Sequence, residues 1–173
     1  AKARSGGDDG SPLHDLVADH GYDIIVSLYE RAISECPTVE ALWASYIKFL
    51  SEEFISTKHD LKNGKQNSQD LLQQQSRIEH GLLSASRRSI RNCPYSSVLF
   101  EKRMTTIGLV SINLEPDDIG AVIKEAIELG FLSSNKEAML NLRLVAIHVV
   151  KRRLLSLISL RSTGKDFDEE EIM

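Results

Sequence analysis

Five histidines (His14, His20, His59, His80 and His148) and two cysteines (Cys36 and Cys93) hold most of the chemical reactivity in this chain. Their spacing gives that reactivity little to act on. A structural zinc site needs two pairs of ligands, each a few residues apart, and these residues show no such set; Glu79 and His80 are merely adjacent. No G-x-S-x-G elbow presents a serine nucleophile, and no glycine-rich loop could cradle a phosphate. The sequence therefore predicts a protein that is not an enzyme and carries no cofactor, metal or catalytic residue. Cys36 and Cys93 fall at matching places in two similar segments, so they read as small apolar fillers of a helical core, as befits a reducing compartment.

Charge is the second candidate chemistry. The 173 residues carry a formal net charge of -4, so no overall basic excess points to nucleic acid. Locally the balance differs. Between 77 and 103 the basic residues Arg77, Arg87, Arg88, Arg91, Lys102 and Arg103 outnumber Glu79 and Glu101. Arg88 and Arg91 are one helical turn apart with Arg87 beside them, so the three share an outer face. Such a face is either simply solvated, a dock for an acidic protein surface, or a guide for an RNA backbone; the last would favour interleaved aromatics, which do not accompany these arginines.

The elements that position these groups follow from apolar spacing. Residues 1–12 read as a flexible N-terminal segment without the charge-then-apolar order of a secretion signal. Leu13, Leu16 and Val17 predict a short helix ending at a His20–Gly21 break. From Tyr22, the residues Ile25, Leu28, Tyr29, Ala32, Ile33 and Cys36 recur at three- and four-residue steps and predict a second helix, stopped by Pro37. Val39, Leu42, Trp43, Tyr46 and Leu50 then form the stripe of a helix that returns antiparallel, so that Trp43 and Tyr46 fill the space left by Ala32. Polar composition predicts a mobile insertion over 57–68, and Asp70 to Asn92 reads as the next helix.

Adding 57 carries Cys36 onto Cys93, Pro37 onto Pro94, Arg31 onto Arg88, Ile33 onto Ile90, Leu42 onto Leu99 and Trp43 onto Phe100. These matches sit at helix breaks and stripe positions, where a structural repeat must keep them. Ser89 keeps the Ala32 site small, whereas Arg103 replaces Tyr46, which predicts looser packing or a partner at that end. A third copy begins at Pro116, Asp117 and Asp118, repeats Ala32 and Ile33 as Ala126 and Ile127, and stops at Gly130. The last helix, 135–161, is apolar on several faces. Arg143, His148, Lys151, Arg152 and Arg153 argue against a membrane span, so a protein partner, a second chain or a following repeat is expected to cover it. Residues 162–173 form an acidic segment leading toward a further helix.

Small residues in one helix, a proline break and W-x-x-Y in the next, carried here by Ala32, Pro37, Trp43 and Tyr46, resemble the half-a-TPR (HAT) repeat of RNA-processing scaffolds. YERAISECPTVEALWASYIKFL, RRSIRNCPYSSVLF and IKEAIELGFL look like consecutive repeats of the HAT proteins that recycle the U4/U6 snRNP. Phe100 and Arg103 depart from the usual Trp and Tyr, and Asn141 stands where a third Trp would fall. The resemblance implies an all-α stack of antiparallel helical hairpins over 13–161, part of a HAT/TPR-like superhelix. It further implies a nuclear scaffold in spliceosomal snRNP assembly or recycling that contacts snRNP components, self-associates as a homodimer and recruits a deubiquitinase. The expected repeat core is Ala32, Ile33, Pro37, Leu42, Trp43, Tyr46, Ile90, Pro94, Leu99, Phe100, Ala126 and Ile127. The expected partner surface is Arg87, Arg88, Arg91, Leu142, Val145 and Val149. Direct RNA binding through the arginine face and a purely oligomeric structural role are the alternatives.

Overall fold

The computed structural model describes residues 12–64, 68–111, 114–130 and 136–162. The described residues form six helices and no strand, so the protein is all-α. They fall into two compact units, Ala1–Pro37 and Thr38–Met173. The expected flexible segment 1–12, apart from Pro12, and the acidic segment 162–173, apart from Ser162, lie outside the described residues.

The first unit consists of helix α1, Pro12–Glu35, which runs without a break through His20 and Gly21. The predicted interruption does not occur. A glycine inside a helix costs only about 1 kcal/mol relative to alanine, less than breaking the hydrogen-bond ladder. The helix stops where Pro37 requires it, with Cys36 N–H donating to Ala32 O at 2.9 Å. Ile33 is buried and Ala32 half-buried, but Cys36 and Pro37 are exposed, which corrects their placement in the core. Within this unit α1 is the only described helix, so no neighbouring helix of the unit covers either side chain.

The second unit contains α2 (Glu40–Lys62), α3 (Ser68–Asn92), α4 (Ser97–Val110), α5 (Pro116–Glu128) and α6 (Lys136–Ser162). Helix α4 lies at its centre and packs on all four of the others, while α2 also packs on α3 and α5 on α6. Trp43, Tyr46, Ile47, Leu50 and Phe54 form one continuous buried stripe on α2. The α3 stripe alternates bulk with economy: Ile78, Leu82 and Ile90 are buried, and so are Ala85, Ser86 and Ser89. The two serine hydroxyls donate to Leu83 O and Ser86 O, so burying them leaves no donor unmade. Leu42 and Pro94 are half-buried, whereas Leu99 and Phe100 are fully enclosed.

Helix α2 extends through 57–62, where a loop was expected. Phe54 and Thr57 remain on its buried face, and the Thr57 hydroxyl donates to Glu53 O at 2.9 Å. Lys58, His59 and Lys62 made this stretch look like a loop, but a helix with a polar outer side has the same composition. Asn63 caps it and Gly64, at φ 63°, makes the left-handed turn that a side chain would strain.

The repeat is visible in backbone geometry. Cys93 N–H donates to Ser89 O at 2.9 Å, matching Cys36 to Ala32 in both distance and register. Val39 (φ -87°, ψ 103°) and Ser96 (φ -89°, ψ 110°) then occupy equivalent N-cap positions. Only Ser96 offers a side-chain acceptor, to Leu99 N–H at 3.1 Å. Val39 caps without one and is exposed, so it leaves the apolar stripe assigned to it. Tyr95 O–H donates to Thr38 O at 2.8 Å, a bond between positions 57 residues apart. One turn is thus tied to its own counterpart.

In the third copy Glu115 and Asp118 form a reciprocal capping box around Pro116, and Gly130, at φ 79°, ends the helix. Ile119, Val122 and Ala126 are buried at steps of three and four, so Ile127, about 100° further round, points to solvent at 47% exposure. Its assignment to the core is therefore corrected. Among the described residues no helix is long and apolar enough to cross a membrane.

Candidate interaction surfaces

The arginines of α3 do meet, and they gather residues from α4 and α5. Arg87 and Arg91 project from successive turns, with Nε atoms 3.8 and 3.5 Å from the same Glu125 Oε1 on α5. Both arginine side chains are more than half exposed, while Glu125 is largely covered. Arg88, one position round, lies over the ring of Trp43 at 5.3 Å, where the buried indole attracts the cation. The face read as one surface is therefore two, one turned to α5 and the other to α2.

Arg103 completes the group. It stands where the second aromatic of the repeat would be, half-buried, and its Nη1 donates to Leu83 O at 3.3 Å and Ser86 Oγ at 3.0 Å. The aromatic position has thus become a polar tie between α4 and α3. Burial pulls its pKa below the ordinary arginine value, Glu125 pushes it up, and Arg87 and Arg91 pull it down again. Sequence reasoning placed Arg103 correctly as an anomaly but missed Glu125, whose only signal was a carboxylate on the outer side of α5.

Helix α6 reverses the expectation made for it. Leu142 is buried, Val145 and Val149 are half-buried, and Gly108 of α4 leaves room for the Val149 side chain, into which any Cβ at 108 would be driven. The burial of Leu142 removes it from the expected partner surface, whereas Val145 and Val149 line an open concavity of about 610 Å³ together with Gly108 and Leu109 of α4. The outward face carries Leu140, Leu144, Ile147, Val150, Leu154 and Ile158, each at least 40% exposed. Their spacing of three and four was present in the sequence, but so was that of the α4-facing set, and equal hydrophobicity left nothing to choose between them. An open apolar concavity of about 500 Å³ runs between α5 and α6, lined by Ile119, Ile123, Ala146, Ile147, Val150 and Leu154 with Arg143 and Lys151.

No group of three or more His, Cys, Asp or Glu among the described residues is arranged to hold a metal ion. Burial raises the Cys93 pKa, an effect opposed by its side-chain hydrogen bond with Tyr95 and reinforced by Glu40. The thiol thus stays protonated to higher pH than an open cysteine, in keeping with a core filler. No family model, curated protein or solved structure matches this chain.

Proposed function

We propose that this chain is a section of a HAT-type helical array, which acts without catalysis as a nuclear scaffold in U4/U6 snRNP assembly or recycling. The observation that carries the scaffold reading is the outward face of α6. Isolated exposed apolar residues are normal on a protein surface, but six on one helical face beside an apolar concavity are a binding feature. The occupant is an amphipathic helix of a partner protein with acidic residues flanking its apolar stripe, because Arg143 and Lys151 bring positive charge to the lining. The turn geometry recurring 57 residues apart, tied by Tyr95 to Thr38, supports the repeat class. Self-association and deubiquitinase recruitment belong to the same proposal through the HAT resemblance.

The test is binding of purified U4/U6 snRNP proteins to the chain and to its Ile147→Glu, Leu154→Glu double variant, with sedimentation recording the oligomer. Both positions are exposed, so the fold is expected to survive. Binding weakened by roughly tenfold or more, the scale set by losing buried apolar anchors, supports the reading; unchanged binding removes α6 as the docking face.

A further inference from the structure

We propose that the concavity on α3 bounded by Arg87, Arg91 and Arg103 is a receptor for a phosphomonoester on a partner polypeptide, a phosphoserine or phosphothreonine side chain. This rests on the scaffold reading only in requiring a protein ligand.

The first support is charge. A concavity of about 420 Å³ is lined by His80, Leu83, Ser84, Arg87, Arg88, Arg91 and Arg103, and among the described residues no carboxylate lines it. Glu125, Asp118 and Glu128 line the neighbouring concavity on the far side of the same arginines. Positive charge therefore faces solvent on the α3 side without an anion opposite, in a chain whose formal net charge is -4. Guanidinium groups hold a phosphoryl group through paired N–H donors, and a phosphomonoester brings nearly two negative charges to them.

The second support is the state of the donors. A charge-assisted hydrogen bond to carboxylate runs about 2.7–2.9 Å, whereas Glu125 Oε1 stands 3.8 and 3.5 Å from the Nε atoms of Arg87 and Arg91. Among the described residues the Nη groups of both arginines make no hydrogen bond. Arg103 is held from one side by Leu83 O and Ser86 Oγ, which fixes its guanidinium before any ligand arrives. Its Nε, buried, makes no hydrogen bond among the described residues.

Shape favours a single anionic group over a nucleic acid strand. The cations converge around one hollow instead of following a track at phosphate intervals. His80 supplies the only ring in the lining, and Trp43, the nearest large aromatic, is wholly buried beneath Arg88.

Fluorescence anisotropy tests this with three labelled probes: a randomised peptide pool with a fixed phosphoserine, the same pool with serine, and oligouridylate of equal length. The phosphorylated pool is expected to bind at least roughly tenfold more tightly than the serine pool, and Arg87→Gln or Arg91→Gln to remove most of that difference, as expected for loss of a charged hydrogen bond. Glu125→Gln, which releases both arginines from their shared carboxylate, is expected to strengthen binding. The exposed sites of Arg87 and Arg91 permit these changes without unfolding, checked by thermal melting. Equal binding of the two pools, indifference to the arginine variants, or displacement of the phosphopeptide by a tighter-binding oligouridylate overturns the proposal. Its failure with the Ile147→Glu, Leu154→Glu variant still losing snRNP proteins would leave the scaffold standing; loss of the α6 effect with phosphopeptide binding intact would do the reverse.

Discussion

Helices α2 and α6 are of similar length, yet the structure treats their apolar residues in opposite ways. On α2 the large residues Trp43, Tyr46, Ile47, Leu50 and Phe54 lie on one stripe and are buried. On α6 the buried positions are held by Ala138, Met139, Leu142 and Ala146, while Leu140, Leu144, Ile147, Leu154 and Ile158 remain exposed. The difference shows that apolar content does not make a core. α2 has packing partners in α3 and α4, whereas α6 packs on α4 and, less extensively, α5. One helix has its hydrophobic face enclosed by its own chain, and the other leaves a second apolar face open among the described residues.

That contrast predicts a ranking of mutational effects. Trp43→Ala removes an indole with no solvent exposure and is expected to cost about 3–5 kcal/mol by urea denaturation, because neighbouring helices cannot collapse fully into the void. A smaller loss, below ~1 kcal/mol, would mean that the α2 stripe is not the principal core.

Next comes the comparison across α6 itself. Leu142→Ala is expected to destabilise by about 2–5 kcal/mol, and Ile147→Ala, on the exposed face, by no more than about 0.5 kcal/mol. Equal losses in chemical denaturation would show that both faces are covered by the isolated chain. An effect between these two concerns the α4–α6 contact. Gly108→Ala pushes a methyl group into Val149 and is expected to cost about 1–3 kcal/mol, with Val149→Ala in the same chain recovering part of it. Strict additivity in that double-mutant cycle would break the proposed contact.

Much of the helical order was legible before the coordinates. The α3 and α5 helices, the Pro37 and Gly130 stops and the enclosed Trp43, Leu99 and Phe100 follow from periodicity and from residues that cannot continue a helix. The errors share a cause. The loop expected at 57–68, of which 57–62 is helical, and the break expected at His20–Gly21 both gave too much weight to local composition, though a helix tolerates a polar outer face and one interior glycine. At the candidate site, the arginine cluster was readable because Arg87, Arg88 and Arg91 are neighbours on one helix. Its division between Trp43 and Glu125 was not, since those partners come from helices more than thirty residues away in sequence.

Sequence alone therefore determined that this chain is helical, where its turns recur and that Pro37 and Gly130 end helices, because these depend on backbone sterics and local spacing. Tertiary structure alone decided which face of α6 stays open, why Ile127 reaches solvent and which acid lies beside Arg87 and Arg91. Such outcomes depend on how closely two helices approach, and at Gly108 and Val149 that distance is set by the absence of a single side chain, a fact with no meaning until the two helices meet.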